Sequence, residues 1–228
     1  MTDTTIDFTM VGNEIIEKAF SIAGIGSEGE SISADQYRRA LISLNLIIKT
    51  WGTSEHLWLR TSKSVTLVEG QAAYTLDPKP MRVIECRRKI TSGGIETPLT
   101  EWARSTYTEQ PNKAVKSIPT SFYYDPQSTT GTLYIWPTAS AATAAAMTLE
   151  LTWLRRPQDF DTTADPADMP QEWLMALTYA LSAELALEYG VNPMTIQRIE
   201  GRAAALYAQL EAFDTEPASL FLQPEMRR

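Results

Sequence analysis

One cysteine and one histidine occur in 228 residues, and that scarcity removes several classes of chemistry. Cys86 alone can form no intrachain disulfide and no cysteine-rich metal site. His56 alone would have to serve any Ser-His-Asp or Cys-His mechanism. It sits in Glu55-His56-Leu57-Trp58, just past a helix stop and with no nucleophile signature beside it, so it reads as a surface or interface residue. Long apolar runs are also missing. The longest, residues 40–48, is broken by Ser43 and Asn45, and the N-terminal residues offer no basic start leading into an apolar stretch. Neither a membrane span nor a signal peptide is expected, and a single thiol suits a reducing cytoplasm.

Positive charge is short as well. Lys and Arg number 20 against 28 Asp and Glu, a net charge of -8. Tight, sequence-independent clamping of DNA phosphates needs clustered cations, so duplex DNA near this chain is expected to pass without being gripped. Glycine-rich phosphate loops are absent: Gly24-Ile25-Gly26 runs into Ser27-Glu28-Gly29 with no Lys-Ser/Thr ending, and it closes a helix where a nucleotide loop would open one. The acidic stretch Asp159, Asp161, Asp165 and Asp168 lacks the glycine and closing glutamate of a calcium loop and reads as a solvated loop. Carboxylate pairs at the spacing of a glycosidase arise by chance among so many acids and point to nothing. No cofactor, metal or catalytic residue is expected.

What remains is the composition of a packed globular chain. Its hydrophobic fraction is 43%, and its prolines and glycines are dispersed. A chain of this length buries roughly 70% of the surface its unfolded form exposes, as one sizeable domain or two small ones. Apolar spacing predicts a helix over residues 10–23, capped by Asp7 or Thr9, with Ile15, Ile16, Ala19, Phe20 and Ala23 inward. Ser33 caps a second helix with a stripe of Tyr37, Leu41, Leu44, Ile48 and Trp51, ended by Gly52. The middle changes character: β-branched and aromatic runs at 63–68, 72–76, 81–90, 95–99, 121–125, 133–136 and 147–154 read as strands. Thr91-Ser92-Gly93-Gly94 reads as a hairpin turn, Thr100 as the cap of one short helix, and the alanine-rich residues 139–146 as a connection with some helicity.

From Pro170 the pattern is helical again. Trp173, Leu174, Leu177, Leu181 and Leu185 form one stripe, Gly190 stops it, and Asn192-Pro193 starts the next helix. That helix carries Ile196, Ile199, Ala203, Leu206, Leu210 and Phe213 at heptad-like spacing, read as a structural core seam that needs a helical partner in this chain or a neighbour. The predicted class is α+β. Residues 1–60 and 166–213 form one helical bundle, residues 61–165 a β-rich inserted lobe, and residues 214–228 an extended tail that does not fold alone. In that tail Leu220, Phe221 and Leu222 make an apolar patch too short for a core of its own and suited to a partner surface. The aromatics Phe122, Tyr123, Tyr124, Tyr134, Trp136 and Trp153 read as core or subunit contact ahead of a sugar or base platform. Arg87-Arg88-Lys89 and Arg155-Arg156 read as solvated charges at strand ends.

Several segments in order resemble one family. They are residues 40–51 with Leu44, Asn45 and Trp51; the strand, Gly70-Gln71 turn and Tyr74-Thr75-Leu76 strand of residues 65–76; Pro119-Thr120-Ser121-Phe122-Tyr123-Tyr124; Gly131-Thr132-Leu133-Tyr134-Ile135-Trp136-Pro137; and the helix end Tyr189-Gly190-Val191-Asn192-Pro193. Together they resemble the head-to-tail adaptor family of short-tailed double-stranded DNA phages, also called tail accessory, packaged-DNA stabilisation or head completion proteins. The resemblance implies a structural virion protein with no catalytic residues. It implies a ring of about twelve identical subunits that binds the portal ring after genome packaging, helps retain DNA in its lumen and forms the platform for the tail nozzle. Two readings compete with it: a peptidoglycan-degrading tail enzyme using carboxylates of the β lobe, and a carbohydrate-binding tail module using its aromatics.

Overall fold

The computed structural model describes residues 8–26 and 31–214. Its helices are α1 (Gly12–Ala23), α2 (Ala34–Trp51), α3 (Arg104–Glu109), α4 (Ala141–Ala146), α5 (Leu174–Glu188) and α6 (Pro193–Phe213). Its strands are β1 (Arg60–Thr66), β2 (Ala73–Leu76), β3 (Arg82–Ile90), β4 (Glu96–Pro98), β5 (Thr100–Glu101), β6 (Lys116–Ser117), β7 (Ser121–Pro126), β8 (Gly131–Trp136), β9 (Thr138–Ala139) and β10 (Met147–Leu154). The fold is α+β, and the chain divides into two compact units: a helical one, Met1–Leu57 with Pro157–Arg228, and a β-rich one, Trp58–Arg156. The expected partner-binding residues Leu220, Phe221 and Leu222 lie outside the described residues.

The helical unit is built around α5. Leu174, Leu177, Leu181 and Leu185 are buried against Ile15, Ile16, Ala19 and Phe20 of α1 and Ala40, Leu44 and Ile48 of α2. α5 is apolar on nearly every side, as expected of a helix surrounded by others. Its two buried hydroxyls are satisfied locally, Thr178 donating to the Leu174 carbonyl (2.8 Å) and Ser182 to the Thr178 carbonyl (2.6 Å). The ends are set by chemistry legible in the sequence. Gly24 (φ 68°) and Gly190 (φ 64°) take the left-handed conformation. The following amides of Ile25 and Val191 then reach back to the carbonyls of Phe20 and Ala186, closing both helices. Ser33 caps α2 by accepting from the Gln36 amide, and the Asn192 side chain accepts from Met194 N–H at the start of α6. At α1 the cap differs from expectation: the cap residue is Val11, and the Glu14 carboxylate accepts from its amide in place of an Asp7 or Thr9 side chain.

α6 corrects the seam expectation. Ile199 is buried against Ala23 and Ala186, but Ala203, Leu206 and Leu210 are half-buried and Phe213 is 82% exposed. Only the first half of the stripe packs as core, because α5 already has α1 and α2 on its other sides.

The β-rich unit holds the sheet β1-β10-β3-β4, the sheet β2-β8-β7-β5 and the short pair β6-β9. One core lies between the two larger sheets, with Val83, Cys86, Leu149, Leu151 and Trp153 from the first and Tyr74, Leu76, Phe122, Leu133 and Ile135 from the second. A bulge in the β10–β3 ladder at Thr152/Trp153 explains why Val83 and Cys86 share a face at a spacing of three. The turn at Gly93-Gly94 closes β3 onto β4 with Gly94 at φ 66°. The short helix expected at Thr100 begins later: Thr100 and Glu101 pair as β5 with β7, and α3 starts at Arg104. The alanine-rich connection is helix α4, capped by Ser140. The chain returns to the helical unit at Pro157, ahead of the 165/166 boundary expected, because residues 157–170 hydrogen-bond to α1 and α2.

The difference between α5 and α6 has a measurable consequence. Leu181→Ala, at a fully buried site, is expected to cost about 2–5 kcal/mol in urea unfolding. Leu206→Ala, on the half-buried part of α6, is expected to cost under about 1 kcal/mol.

Candidate interaction surfaces

The segments that look distinctive in the sequence turn out to hold the architecture. Asn45, in the middle of α2, pairs with the backbone of Phe160 in both directions: its Nδ2 donates to the Phe160 carbonyl and its Oδ1 accepts from the Phe160 amide, each at 2.9 Å. Lys49, one turn on, donates to the Pro157 carbonyl (3.2 Å) and pairs with Asp159. The loop so fastened also meets the start of α1, where the Gly12 and Asn13 amides donate to the carbonyls of Asp165 and Thr163. Residues 157–170 are therefore a strap tying α1 and α2 together.

The acidic residues of this strap are occupied as structural groups. The Asp165 carboxylate accepts from the Thr162 amide and hydroxyl, which holds it below the usual carboxylate range, and Asp168 accepts from the Gln158 amide. Among the described residues no group of His, Cys, Asp and Glu is arranged to hold a metal ion.

His56 was expected at a surface or interface, and it is instead buried inside the helical unit. It is 3% exposed, and its ring packs edge-on against Trp173 (4.5 Å between centroids) and Tyr207 (6.2 Å). Trp51 completes the cluster, 5.8 Å from Trp173 and 5.1 Å from Tyr207. His56 Nδ1 lies 3.2 Å from the Asp214 carboxylate, which also accepts from the Leu57 amide (3.0 Å). The end of α6 is thereby fixed against the chain leaving α2. Sequence spacing gives no hint of this contact, because His56 and Asp214 lie more than 150 residues apart.

The β-rich unit divides the aromatic cluster between two faces. Phe122 and Trp153 are core, and Tyr124 packs at its edge with its hydroxyl donating to the Pro80 carbonyl (2.6 Å). Gly131 is required there, since a Cβ at that position would meet the Tyr124 hydroxyl at 2.3 Å. Tyr74 is held in the same way, its hydroxyl accepting from the Val68 amide at 3.0 Å. Tyr123, Tyr134 and Trp136 are half-buried. Tyr123 stacks on Tyr134 (5.8 Å), Tyr107 tilts onto Tyr134 (5.1 Å), and Trp136 stacks on Trp102 (5.3 Å). These rings take up one another's faces, so the arrangement is packing and not a row of free platforms for sugars or bases. The basic spots are mostly paired: Arg87 with Glu85 and Glu96, Lys89 with Glu96, and Arg88 with the Pro119 carbonyl.

The helical unit exposes several large apolar side chains. Ile42 and Leu46 of α2, Leu187 of α5 and Phe213 of α6 are each at least half exposed. A second group, Phe8 and Met175, borders a hollow against α1 and α5. Among the described residues no helix is long and apolar enough to cross a membrane.

The chain is a member of the SU10 adaptor protein family, which it matches over residues 30–220. No curated protein matches it. Among solved structures, the neck of an empty GTA particle is similar at 12% identity over 82% of this chain and 87% of that one, with a TM-score of 0.29.

Two outcomes follow from the geometry. Asn45→Asp keeps the acceptor but sets a carboxylate against the Phe160 carbonyl, and about 1–3 kcal/mol of stability should be lost in urea unfolding. Burial raises the Cys86 thiol to about 12, so at pH 8 it stays protonated. It should resist iodoacetamide in the folded chain and react once urea unfolds it.

Proposed function

We propose that this chain is a head-to-tail connector of a phage virion that works without catalysis. It binds the portal ring once the genome is packaged, helps retain the DNA, and forms the platform for the tail nozzle. The observation that carries this reading is membership of the SU10 adaptor family across residues 30–220. The subunits form a ring of about twelve copies, closed by contacts between different faces of neighbouring chains. The chain occupies the host cytoplasm during assembly and the neck of the finished virion.

Charge supports a passive channel. At -8 per chain, a ring of about twelve carries roughly a hundred net negative charges. Duplex DNA then passes through the lumen without sequence-specific binding and without the salt-dependent adhesion of a basic wall. Like charge also opposes self-association before the portal is met. In the reading proposed here, Leu220, Phe221 and Leu222 are the partner-binding residues, docking on the portal or on a neighbouring subunit.

Light scattering of the isolated chain at micromolar concentration should therefore find a monomer, and mixing with purified portal rings should give a larger particle. A closed ring formed without portal overturns templated assembly. Deleting residues 215–228 should abolish or greatly weaken capture. A truncated chain that saturates portal rings at the same concentration as the full chain contradicts the role given to Leu220, Phe221 and Leu222.

A further inference from the structure

A groove of about 520 Å³ runs between α2, α5 and α6, a volume within the range of sites that enclose ligands. Leu46 and Leu187, 63% and 53% exposed, give it apolar walls, and Ala183 and Ala203 leave room between them. The charged residues lining it, Glu184 and Glu200, are both acidic. Two large, exposed apolar side chains thus face one hollow of the helical unit.

The course of the chain says what can cover them. α6 forms one wall of the groove, and at its end Asp214 is tied to the Leu57 amide and His56, so the exit point of residues 215–228 is fixed beside that wall. Pro217 lacks the N–H that a continuing helix would need, and the chain is free to turn back. Leu220 lies six residues beyond Asp214, an extended reach of up to about 20 Å. Ala203 lies eleven residues before Asp214, about 16 Å back along the helix. Leu220, Phe221 and Leu222 can therefore be laid on the apolar lining. Farther along, Arg227 and Arg228 bring positive charge to a groove whose own charges are negative.

We propose that in the unassembled protein residues 215–228 dock in the groove between α2, α5 and α6 of their own chain, the apolar trio on Leu46 and Leu187 and the two arginines against Glu184 and Glu200. Docked there, the segment covers the apolar side chains of the groove. Docking in the free chain does not require portal capture, and the two are tested separately.

The test is disulfide trapping in the full-length chain carrying Leu46→Cys and Phe221→Cys, at a concentration where it is monomeric. Cys86 stays in place as a buried bystander. The control carries Met175→Cys with Phe221→Cys, since Met175 is exposed on α5 but does not line this groove. Under mild oxidation, positions 46 and 221 should link within one chain at least about fivefold faster than positions 175 and 221, as a locally raised concentration requires. Adding Glu184→Arg and Glu200→Arg should slow trapping several-fold, and adding Arg227→Glu with Arg228→Glu should restore it. Equal rates for the two pairs, or linkage found only between two chains, overturns the proposal.

Discussion

Burial of α5 is the constraint on which the helical unit depends. This helix has almost no polar side, so it needs neighbours around most of its circumference, and its own hairpin partner α6 supplies only one. The rest come from α1 and α2, at the opposite end of the sequence. The chain must therefore return to where it began after building the β-rich unit. Pairing of β1 with β10, from Arg60↔Leu154 to Thr66↔Thr148, brings the two crossings of that unit together. The strap then fastens the returning chain to α2 through Asn45 and Lys49.

This constraint gives the family-like segments a physical meaning. Asn45 fastens the strap, Trp51 builds the aromatic cluster at the end of α2, and Tyr74 ties down its hairpin. Gly131 admits Tyr124, while Gly190 and Asn192 turn α5 into α6. None of these roles is chemical in the catalytic sense. They are places where a side chain satisfies a backbone group, where aromatic rings pack, where the chain turns through a left-handed glycine, or where a Cβ would collide.

Much of the fold was legible because local signals agree with it. Helix stops at glycine, caps at Ser33 and Asn192, and the run of long strands follow from propensity and turn chemistry acting within a few residues. The misses share a different cause. His56 reads as a surface or interface residue because nothing near it in sequence announces Trp173, Tyr207 or Asp214. The stripe on α6 looked like core because heptad spacing records apolar residues and not how many faces of the partner helix are already taken. The strap looked like a solvated acidic loop, since its hydrogen bonds run from backbone to distant helices. Of the interaction surface, the apolar character of α2 and α5 was visible residue by residue. The groove itself appears only when α6 is placed beside them.

In the function proposed above, this acidic chain of 25.4 kDa is a building block whose assembled form is set by the portal. Native mass spectrometry of purified portal rings titrated with the full chain tests it most directly. A single saturated complex is expected, in which the mass gained is a fixed multiple of the chain mass and free chain remains monomeric. Portal rings that gain no mass at saturating chain concentration would contradict it.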